Sequence, residues 1–303
     1  MAEWDAEVAI DGALVRALLG EQFPELDASS ARLLGEGWDN SFWVVEEQWA
    51  FRFPRREIAI PGVRRELAVL PKLAPLLPVP IPEPRFVGAR SARFPWPFFG
   101  APLLVGREPA DAGLDDDARA AFGAELGRFL RVLHAPETLD AVDPERALPV
   151  DFNRRADMPF RVGRTRQRLR ELPLDVWRSP ARFEQLLGEA EGLSPSTELV
   201  LTHGDLHLRH VLVDGGALSG VLDWGDVCRA DPAIDLMLVW MLFTSAGRER
   251  FAAEYGPIDE ERRLRARVLA IFLGLTLVLY ARDVGHAMLE RECLAGLERT
   301  LVD

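Results

Sequence analysis

Apolar and polar residues follow strand patterns in the first third of the chain and helix patterns after it. Apolar residues between 6 and 20 recur at helical spacing and predict an amphipathic helix, and a second helix is predicted over 63–77. Other segments alternate apolar and polar residues between Gly or Pro positions, as strands do. The strand predictions are 31–45, comprising a strand, a glycine-bearing turn and a second strand, then 49–54, 85–88 and 98–105.

Helical periodicity dominates beyond Gly106, which we interpret as a hinge. Helices are predicted there over 115–134, 233–243 and 262–283. Asp115, Asp116 and Asp117 stand where the first of these helices begins. Negative charge is favourable at a helix N-terminus, so this explanation is preferred to a metal site.

The change of pattern predicts two lobes. Residues 1–105 form a small antiparallel sheet lobe with one helix, and residues 106–303 form a larger, mostly helical lobe, so the predicted fold class is α+β. The longest apolar run, 268–281, is too short for a comfortable membrane span and predicts a buried helix.

Arginine is concentrated between residues 154 and 170. We interpret the series as a solvated helix face, and a substrate-binding role is the less favoured alternative. Its members are Arg154, Arg155, Arg161, Arg164, Arg166, Arg168 and Arg170.

The composition is that of an acidic globular protein, with 303 residues, 48% hydrophobic and 28% charged residues, and a formal net charge of −12. This charge argues against a nucleic-acid partner and is compatible with a cationic small substrate. Cys228 and Cys293 form no disulfide or metal pattern, and the N-terminus lacks the basic region of a signal peptide. We therefore expect a cytoplasmic protein without membrane attachment.

A polar loop with three of the five histidines follows an apolar strand at 199–201. A predicted hairpin comes next, turning at Asp214-Gly215-Gly216, and its second strand leads to Asp223. Asp205, on the loop, is suited to accept a proton from a substrate hydroxyl. Asp223 is suited to bind a divalent cation through oxygen.

Four residues of the first lobe are candidates for phosphate binding. Gly35 and Gly37 would let backbone N–H groups approach phosphate, although hairpin turns need glycine in any case. Arg52 can pair with phosphate oxygens, and Glu66 can hold Arg52 in place. Each residue alone is equally well explained as part of an ordinary turn, strand or helix.

Two motifs resemble a known family. His203-Gly204-Asp205 and Leu222-Asp223-Trp224-Gly225-Asp226 resemble the catalytic segments of the aminoglycoside phosphotransferase family, which includes members acting on macrolides. Asp231–Leu236, Gly37–Asn40 and 51–56 are similar to other segments of that family. The order of glycine loop, cation, glutamate, aspartate and metal ligands is also that of protein kinases. The resemblance implies a protein kinase-like two-lobe fold and transfer of the γ-phosphate of ATP or GTP to a hydroxyl of a small molecule.

The resemblance also implies a role for each motif position. Asp205 would be the catalytic base or the residue that orients the hydroxyl, and Asp223 with His210 would hold Mg²⁺, or alternatively Mn²⁺. The nucleotide-binding residues would be Gly35, Gly37, Arg52, Glu66, Leu103 and Val105. Residues 103–105 would offer hinge backbone groups to the purine. His203 and Asp235 would brace the catalytic loop.

Two positions depart from the family pattern. Arg52 stands where kinases use lysine, in a chain whose one lysine is Lys72. His210 stands where asparagine is expected, five residues after Asp205. Imidazole suits softer metals than Mg²⁺, so His210 either binds metal weakly, accepts Mn²⁺, or hydrogen-bonds phosphate or Asp205.

Two other functions are compatible with parts of the sequence. A non-catalytic pseudokinase would tolerate both unusual positions but leaves the two aspartates unexplained. A transition-metal hydrolase would use the histidines with Asp223 and Asp226, but it leaves the order of the phosphate-binding candidates unexplained, and the chain has no His-Glu-x-x-His motif. The acceptor stays open among aminoglycosides, macrolides and metabolite alcohols.

Overall fold

A computed structural model describes residues 6–37, 39–172 and 180–302 of the chain. The chain divides into two compact units. Within the described residues, the first unit comprises 6–75, 80–104 and Asp223–Asp226, and the second comprises the remaining residues. Trp38, part of one of the motifs quoted above, lies outside the described residues.

The first unit contains an antiparallel five-stranded sheet with strand order β1-β2-β3-β5-β4. Phenylalanines on the inner face of β3 and β5 are fully buried, and the Phe53 and Phe98 rings stack at 4.7 Å. Gly100 is required beside them, because a Cβ there would lie 2.5 Å from the Phe51 ring. The elements are α1 (Gly12–Gln22), β1 (Arg32–Glu36), β2 (Asn40–Val45), β3 (Trp49–Pro54), α2 (Ile60–Leu73), β4 (Phe86–Gly88) and β5 (Phe98–Pro102).

Three predicted elements in this unit had wrong boundaries. Helix α1 begins at Gly12 rather than residue 6, because Asp11 caps it by accepting from the Leu14 N–H. Helix α2 begins three residues early, with a proline in its first turn, and ends at Leu73. Strand β5 ends at Pro102, which lacks the N–H to continue a ladder.

The second unit contains two strand pairs. Strand β6 (Val200–Thr202) pairs with β9 (Cys228–Ala230), and β7 (Val211–Asp214) pairs with β8 (Ala217–Val221). Gly215 and Gly216 connect β7 to β8 with φ of 57° and 86°. Two successive positive φ values define the hairpin turn that glycine favours, so the predicted hairpin is confirmed.

Helices form the rest of the second unit. Asp115 caps α4 by accepting from the Ala118 N–H, which confirms its predicted role. Every residue of α8 is buried. The described helices are α3 (Pro109–Ala112), α4 (Asp116–Leu133), α5 (Pro136–Val142), α6 (Met158–Glu171), α7 (Pro180–Glu191), α8 (Ala233–Leu242), α9 (Ser245–Tyr255), α10 (Glu260–Val284) and α11 (Ala287–Thr300).

Helix α10 is the one described helix long and apolar enough to span a membrane by composition. Of its most apolar stretch, 67% is buried within the protein, which is the behaviour of a core helix. The prediction of a buried helix here is confirmed, as is the α+β fold class. The expectation of one helix in the first lobe was wrong, because both α1 and α2 belong to the first unit.

The solvated-face interpretation of the arginine series was wrong for two of its members. Arg161, on α6, is only 6% exposed. Arg155 precedes the helix, and its side chain is 18% exposed and contacts Asp205. Helical periodicity therefore does not describe the start of the series.

Candidate active site

A buried carboxylate fixes the turn that carries Asp205. Asp235, on α8, is fully buried and accepts hydrogen bonds from the backbone N–H groups of His203 at 2.8 Å and Gly204 at 3.1 Å. His134 Nε2 lies 3.1 Å from the same carboxylate. Gly204 has φ of 90°, which a glycine adopts without strain. The residue before Asp205 is thus held in a conformation that few other residues allow.

His203 ties the catalytic loop to the end of the hairpin. Its Nδ1 accepts from the Asp205 N–H at 3.2 Å, so in the neutral ring Nε2 carries the proton and donates to the Leu222 carbonyl at 2.8 Å. Burial lowers the pKa of His203, which favours this neutral form. A neutral imidazole with one donor and one acceptor satisfies both of these contacts.

The Asp205 carboxylate is partly exposed and has a cationic neighbour. Arg155 Nη2 donates to Asp205 Oδ1 at 2.9 Å. Asp205 Oδ2 lies 3.7 Å from His207 Nε2 and 4.0 Å from His210 Nδ1. The carboxylate is 28% exposed, so a small molecule can reach it.

The ligand atoms of Asp205, His207 and His210 lie within 4.8 Å of one another, and the two imidazole rings stack at 3.7 Å. Hydrogen bonds determine which ring nitrogens carry protons. The Arg209 N–H donates to His207 Nδ1 at 3.2 Å, so Nε2, which faces Asp205, is protonated in the neutral ring. Burial lowers the pKa of His207 well below its ordinary value, so the ring is neutral.

His210 has the opposite arrangement. Its Nδ1 lies 2.9 Å from the Asp205 carbonyl oxygen, an acceptor, so in the neutral ring Nδ1 carries the proton and Nε2 has the lone pair. Both nitrogens that face Asp205 therefore carry protons. This pattern does not suit a three-ligand transition-metal centre.

Arg52, Glu66 and Asp223 come together in the first unit. Arg52 Nη1, on β3, lies 2.5 Å from Glu66 Oε1, on α2, and 3.3 Å from Asp223 Oδ1. Glu66 Oε1 also accepts from the Trp224 N–H at 3.1 Å. The Gly225 carbonyl accepts from Arg65, also on α2, so two residues of this helix hold the Asp223–Asp226 segment.

One guanidinium is thus shared by two carboxylates, only one of which is buried. Glu66 is 2% exposed, whereas the Asp223 side chain is 40% exposed. Burial raises the pKa of Glu66 to about 7, although Arg52 acts in the opposite direction. Arg52 Nε and Glu66 Oε2 are buried without a hydrogen-bond partner among the described residues.

The predicted glycines and hinge residues lie at the edges of these elements. Gly35 lies in β1 beside a register shift, and Gly37 follows β1, its N–H donating to the Asn40 carbonyl at 2.8 Å. A Cβ would meet no atom within 4 Å at Gly35 and only the Asn40 oxygen, 3.8 Å away, at Gly37, so packing does not require either glycine. The Leu103 N–H donates to the Gln48 carbonyl at 2.7 Å, and the Val105 carbonyl accepts from Ser219 Oγ at 2.8 Å.

The sequence model of the phosphotransferase enzyme family matches residues 30–269 of the 303. The chain belongs to this family. The predicted resemblance is confirmed, and the match includes Asp205, Asp223 and the phosphate-binding candidates of the first unit.

The curated relatives match only parts of this chain. An aminoglycoside 3'-phosphotransferase of Escherichia coli is 30% identical over 140 residues, which is 43% of this chain and 48% of that one. The uncharacterized protein YcbJ of Bacillus subtilis (strain 168) is 41% identical over 56 residues, 18% of each chain. The chain therefore spans half or less of the length of these curated relatives.

Solved structures of phosphotransferases share the fold along the full length. The GDP complex of aminoglycoside 2'-phosphotransferase-IIIa matches with a TM-score of 0.68 at 21% identity, covering 96% of this chain and 99% of that one. Macrolide 2'-phosphotransferase MphH from Brachybacterium faecium matches with a TM-score of 0.62 at 24% identity, covering 95% and 98%. The predicted kinase-like fold is confirmed by this likeness.

Sequence reasoning missed three residues of the candidate site. Arg155 contacts Asp205 directly, and Asp151 holds the backbone of Arg155. His134 contacts Asp235 from α4 and in turn lies 2.8 Å from the Tyr255 hydroxyl.

Proposed function

We propose that this protein transfers the γ-phosphate of ATP or GTP to a hydroxyl group of a small molecule. The observation that carries the proposal is the Asp205 carboxylate, presented on a loop fixed by Asp235 and His203 in a member of the phosphotransferase enzyme family. Such a carboxylate can accept a hydrogen bond from the acceptor hydroxyl, orient its oxygen toward the phosphorus and take up its proton. The braced loop supplies positioning, which is most of what phosphoryl transfer requires of the protein.

In this proposal, Arg52 binds the α- and β-phosphates and Glu66 positions it. The support is the 2.5 Å contact between the two side chains and the burial of both. A guanidinium keeps its charge and offers several donors to phosphate oxygens, so arginine can serve where lysine is usual. Gly35 and Gly37 would allow the β1–β2 turn to approach the phosphates, and residues 103–105 would contact the purine. The Leu103 carbonyl and the Val105 N–H are the groups we assign to that contact.

Asp223 and His210 would hold the divalent cation. The Asp223 carboxylate is 40% exposed and offers oxygen, and His210 offers the lone pair of Nε2. This mixed donor set fits a divalent cation, and it suits Mn²⁺ at least as well as Mg²⁺ because imidazole favours the softer ion. When bound, such a cation neutralises charge that develops on the transferred phosphoryl group.

The names of relatives guide the choice of acceptor. The similar solved structures are those of aminoglycoside and macrolide phosphotransferases, and they include complexes with GDP, ADP and ATP. We therefore propose a nucleoside triphosphate and a hydroxylated small molecule as the two substrates. We propose the cytoplasm as the location, since it supplies the nucleotide, and we assign no nucleic-acid or membrane partner.

A transfer screen tests the proposal. γ-Labelled ATP and GTP are incubated with the protein, Mg²⁺ or Mn²⁺, and a library of antibiotics, amino alcohols and sugars, and products are identified by mass. We expect one phosphorylated product class, and we expect Asp205→Asn to abolish transfer while nucleotide affinity stays near that of the wild type. Asp214→Asn, in the exposed hairpin turn, is the matched control and should retain activity.

The two other candidate functions give different results in the same screen. A pseudokinase would bind nucleotide without transfer or hydrolysis in either metal. A transition-metal hydrolase would retain tightly bound zinc and show no nucleotide binding. Wild-type turnover by Asp205→Asn would contradict the assignment of the base.

A further inference from the structure

An arginine contacts the proposed base and a second lies behind it, although the protein as a whole carries a net charge of −12. Arg155 Nη2 donates to Asp205 Oδ1 at 2.9 Å. Behind it, Arg161 is 6% exposed, packs over the Phe272 ring at 4.3 Å, and donates to the Arg155 carbonyl at 3.4 Å. Burial lowers the pKa of Arg161 to about 10, and the charge of the neighbouring Arg155 acts in the same direction.

The backbone of Arg155 is fixed rather than free to move away. Both oxygens of the Asp151 carboxylate accept backbone N–H groups, from Arg155 at 2.7 Å and from Ala156 at 2.8 Å. The Asp151 N–H in turn donates to the Arg229 carbonyl at 3.1 Å, which ties this turn to β9. Asp151 and Arg154 have positive φ values of 28° and 51°, so a specific backbone shape presents Arg155 to Asp205.

Two exposed aromatic side chains beside the 151–155 turn add apolar surface next to Arg155. Phe152 and Phe160 are 42% and 36% exposed. Arg154 lies over the Phe160 ring at 4.3 Å and forms an ion pair with Asp157 at 2.6 Å. Arg154 is therefore already paired within the turn, whereas Arg155 is the arginine in contact with the base.

We propose that Arg155 is a specificity-determining residue, which selects acceptors that carry an anionic group, such as a carboxylate or phosphate, beside the hydroxyl that is phosphorylated. The inference rests on the proposed function, because only an acceptor hydroxyl bound at Asp205 is brought beside Arg155. A guanidinium is planar, permanently charged and shaped to bind carboxylate or phosphate oxygens. An anionic group on the acceptor shares this charge with Asp205, whereas an ammonium group at the same place is repelled.

The proposal reverses the expectation from net charge. An overall negative protein attracts a cationic substrate at long range, but salt screens that attraction beyond about 8–10 Å. Selection at the site depends on the groups within a few ångströms of the bound acceptor, and the Arg155 guanidinium contacts the carboxylate that would hold the acceptor hydroxyl. Polycationic acceptors such as aminoglycosides are therefore expected to be poor substrates of the wild-type protein.

A charge-matched set of acceptors tests the proposal. Glucosamine, glucose, glucuronate and glucose phosphates carry similar hydroxyls with different charge, and kanamycin and erythromycin extend the set to polycationic and largely apolar compounds. Transfer from γ-labelled ATP and GTP is measured for the wild type, Arg155→Gln, Arg155→Lys and Arg154→Gln. Arg154→Gln is the matched control, since it removes the same charge one residue away without touching Asp205. Unfolding midpoints of all variants check that each is folded.

We expect the best wild-type acceptors to be anionic. Arg155→Gln should raise their KM at least tenfold with a smaller change in kcat, and should raise kcat/KM for the cationic compounds. Arg155→Lys should restore part of the anion preference, and Arg154→Gln should behave as the wild type. A wild-type preference for polycations, or an equal effect of Arg155→Gln on every acceptor, would overturn the inference alone. Absence of transfer to every compound would instead contradict the proposed function, and the inference with it.

Discussion

The carboxylate of Asp235 offers the sharpest test of how the catalytic loop is held. Asp235→Asn keeps the size and shape of the side chain but leaves one acceptor oxygen and one NH₂ group. Three donors face the carboxylate in the wild type, namely the His203 N–H, the Gly204 N–H and His134 Nε2. Whichever way the amide is turned, its NH₂ group faces at least one of these donors.

The magnitude follows from the burial of this site. A buried N–H left without an acceptor costs about 1–3 kcal/mol, and the remaining hydrogen bonds lose the extra strength that a charged acceptor gives. We therefore expect the free energy of unfolding to fall by about 2–4 kcal/mol. For a protein of this size the midpoint of thermal unfolding should fall by roughly 4–16 °C, at a few degrees for each kcal/mol.

The assay is urea unfolding at neutral pH, followed by circular dichroism, with transfer activity measured in parallel. Asp115→Asn is the matched control, because Asp115 also accepts a backbone N–H, as the N-cap of α4, and asparagine is an equally good N-cap. We expect the control to unfold as the wild type does and to keep its activity. Asp235→Asn should also lose activity, since the turn before Asp205 loosens.

If Asp235→Asn lowered the free energy of unfolding by less than about 1 kcal/mol, the reasoning would be refuted. An effect that small is close to the roughly 0.5 kcal/mol typical of a surface substitution. Equal losses for the two variants would also refute it, since they would show that burial of the acceptor does not matter. A loss of activity without any loss of stability would show that Asp235 acts on the chemistry rather than on the loop.

Two further predictions concern Glu66 and His210, the residues proposed to position Arg52 and to hold the cation. Because burial raises the pKa of Glu66 to about 7, its contribution to stability is present below about pH 4.5 and is lost as the pH rises through 7. Wild-type stability relative to Glu66→Gln should therefore fall by on the order of 3 kcal/mol between pH 4.5 and 8 in urea titrations, and a constant difference would contradict this. The transfer rate of His210→Asn should stay within about tenfold of the wild-type rate, which corresponds to a change of about 1.4 kcal/mol in the activation free energy. This variant should also shift the metal preference from Mn²⁺ toward Mg²⁺. His210→Leu should lose activity in both metals. Similar metal profiles for the wild type and His210→Asn would argue against a role for His210 Nε2.

Features that depend on local chemistry were predictable from the sequence. Two consecutive glycines after Asp214 specify a turn with positive φ at both positions, and the hairpin forms there. Asp115 precedes a helical pattern and caps that helix. In both cases the residues that decide the structure are within a few positions of one another.

Features that depend on distant contacts were not predictable in the same way. Asp223 belongs with Arg52 and α2, 171 positions away from Arg52 in the chain. The position of Arg155 depends on a turn with positive φ at Asp151 and Arg154, neither of which is glycine. Such a turn gives no periodic signal, so the arginines before α6 were grouped with those on the helix.

The hydrogen bond from His210 to the Asp205 carbonyl explains how histidine can stand where asparagine is expected. An asparagine side chain offers an N–H donor and an oxygen acceptor, and a neutral imidazole likewise offers one N–H and one lone pair. His210 uses its Nδ1 proton on the Asp205 carbonyl, so its lone pair is at Nε2 on the other side of the ring. Histidine at this position therefore keeps a proton for the Asp205 carbonyl and a lone pair for the proposed cation. In the proposed site, the donor to the cation changes from oxygen to nitrogen, so we expect the exchange to affect the choice of metal.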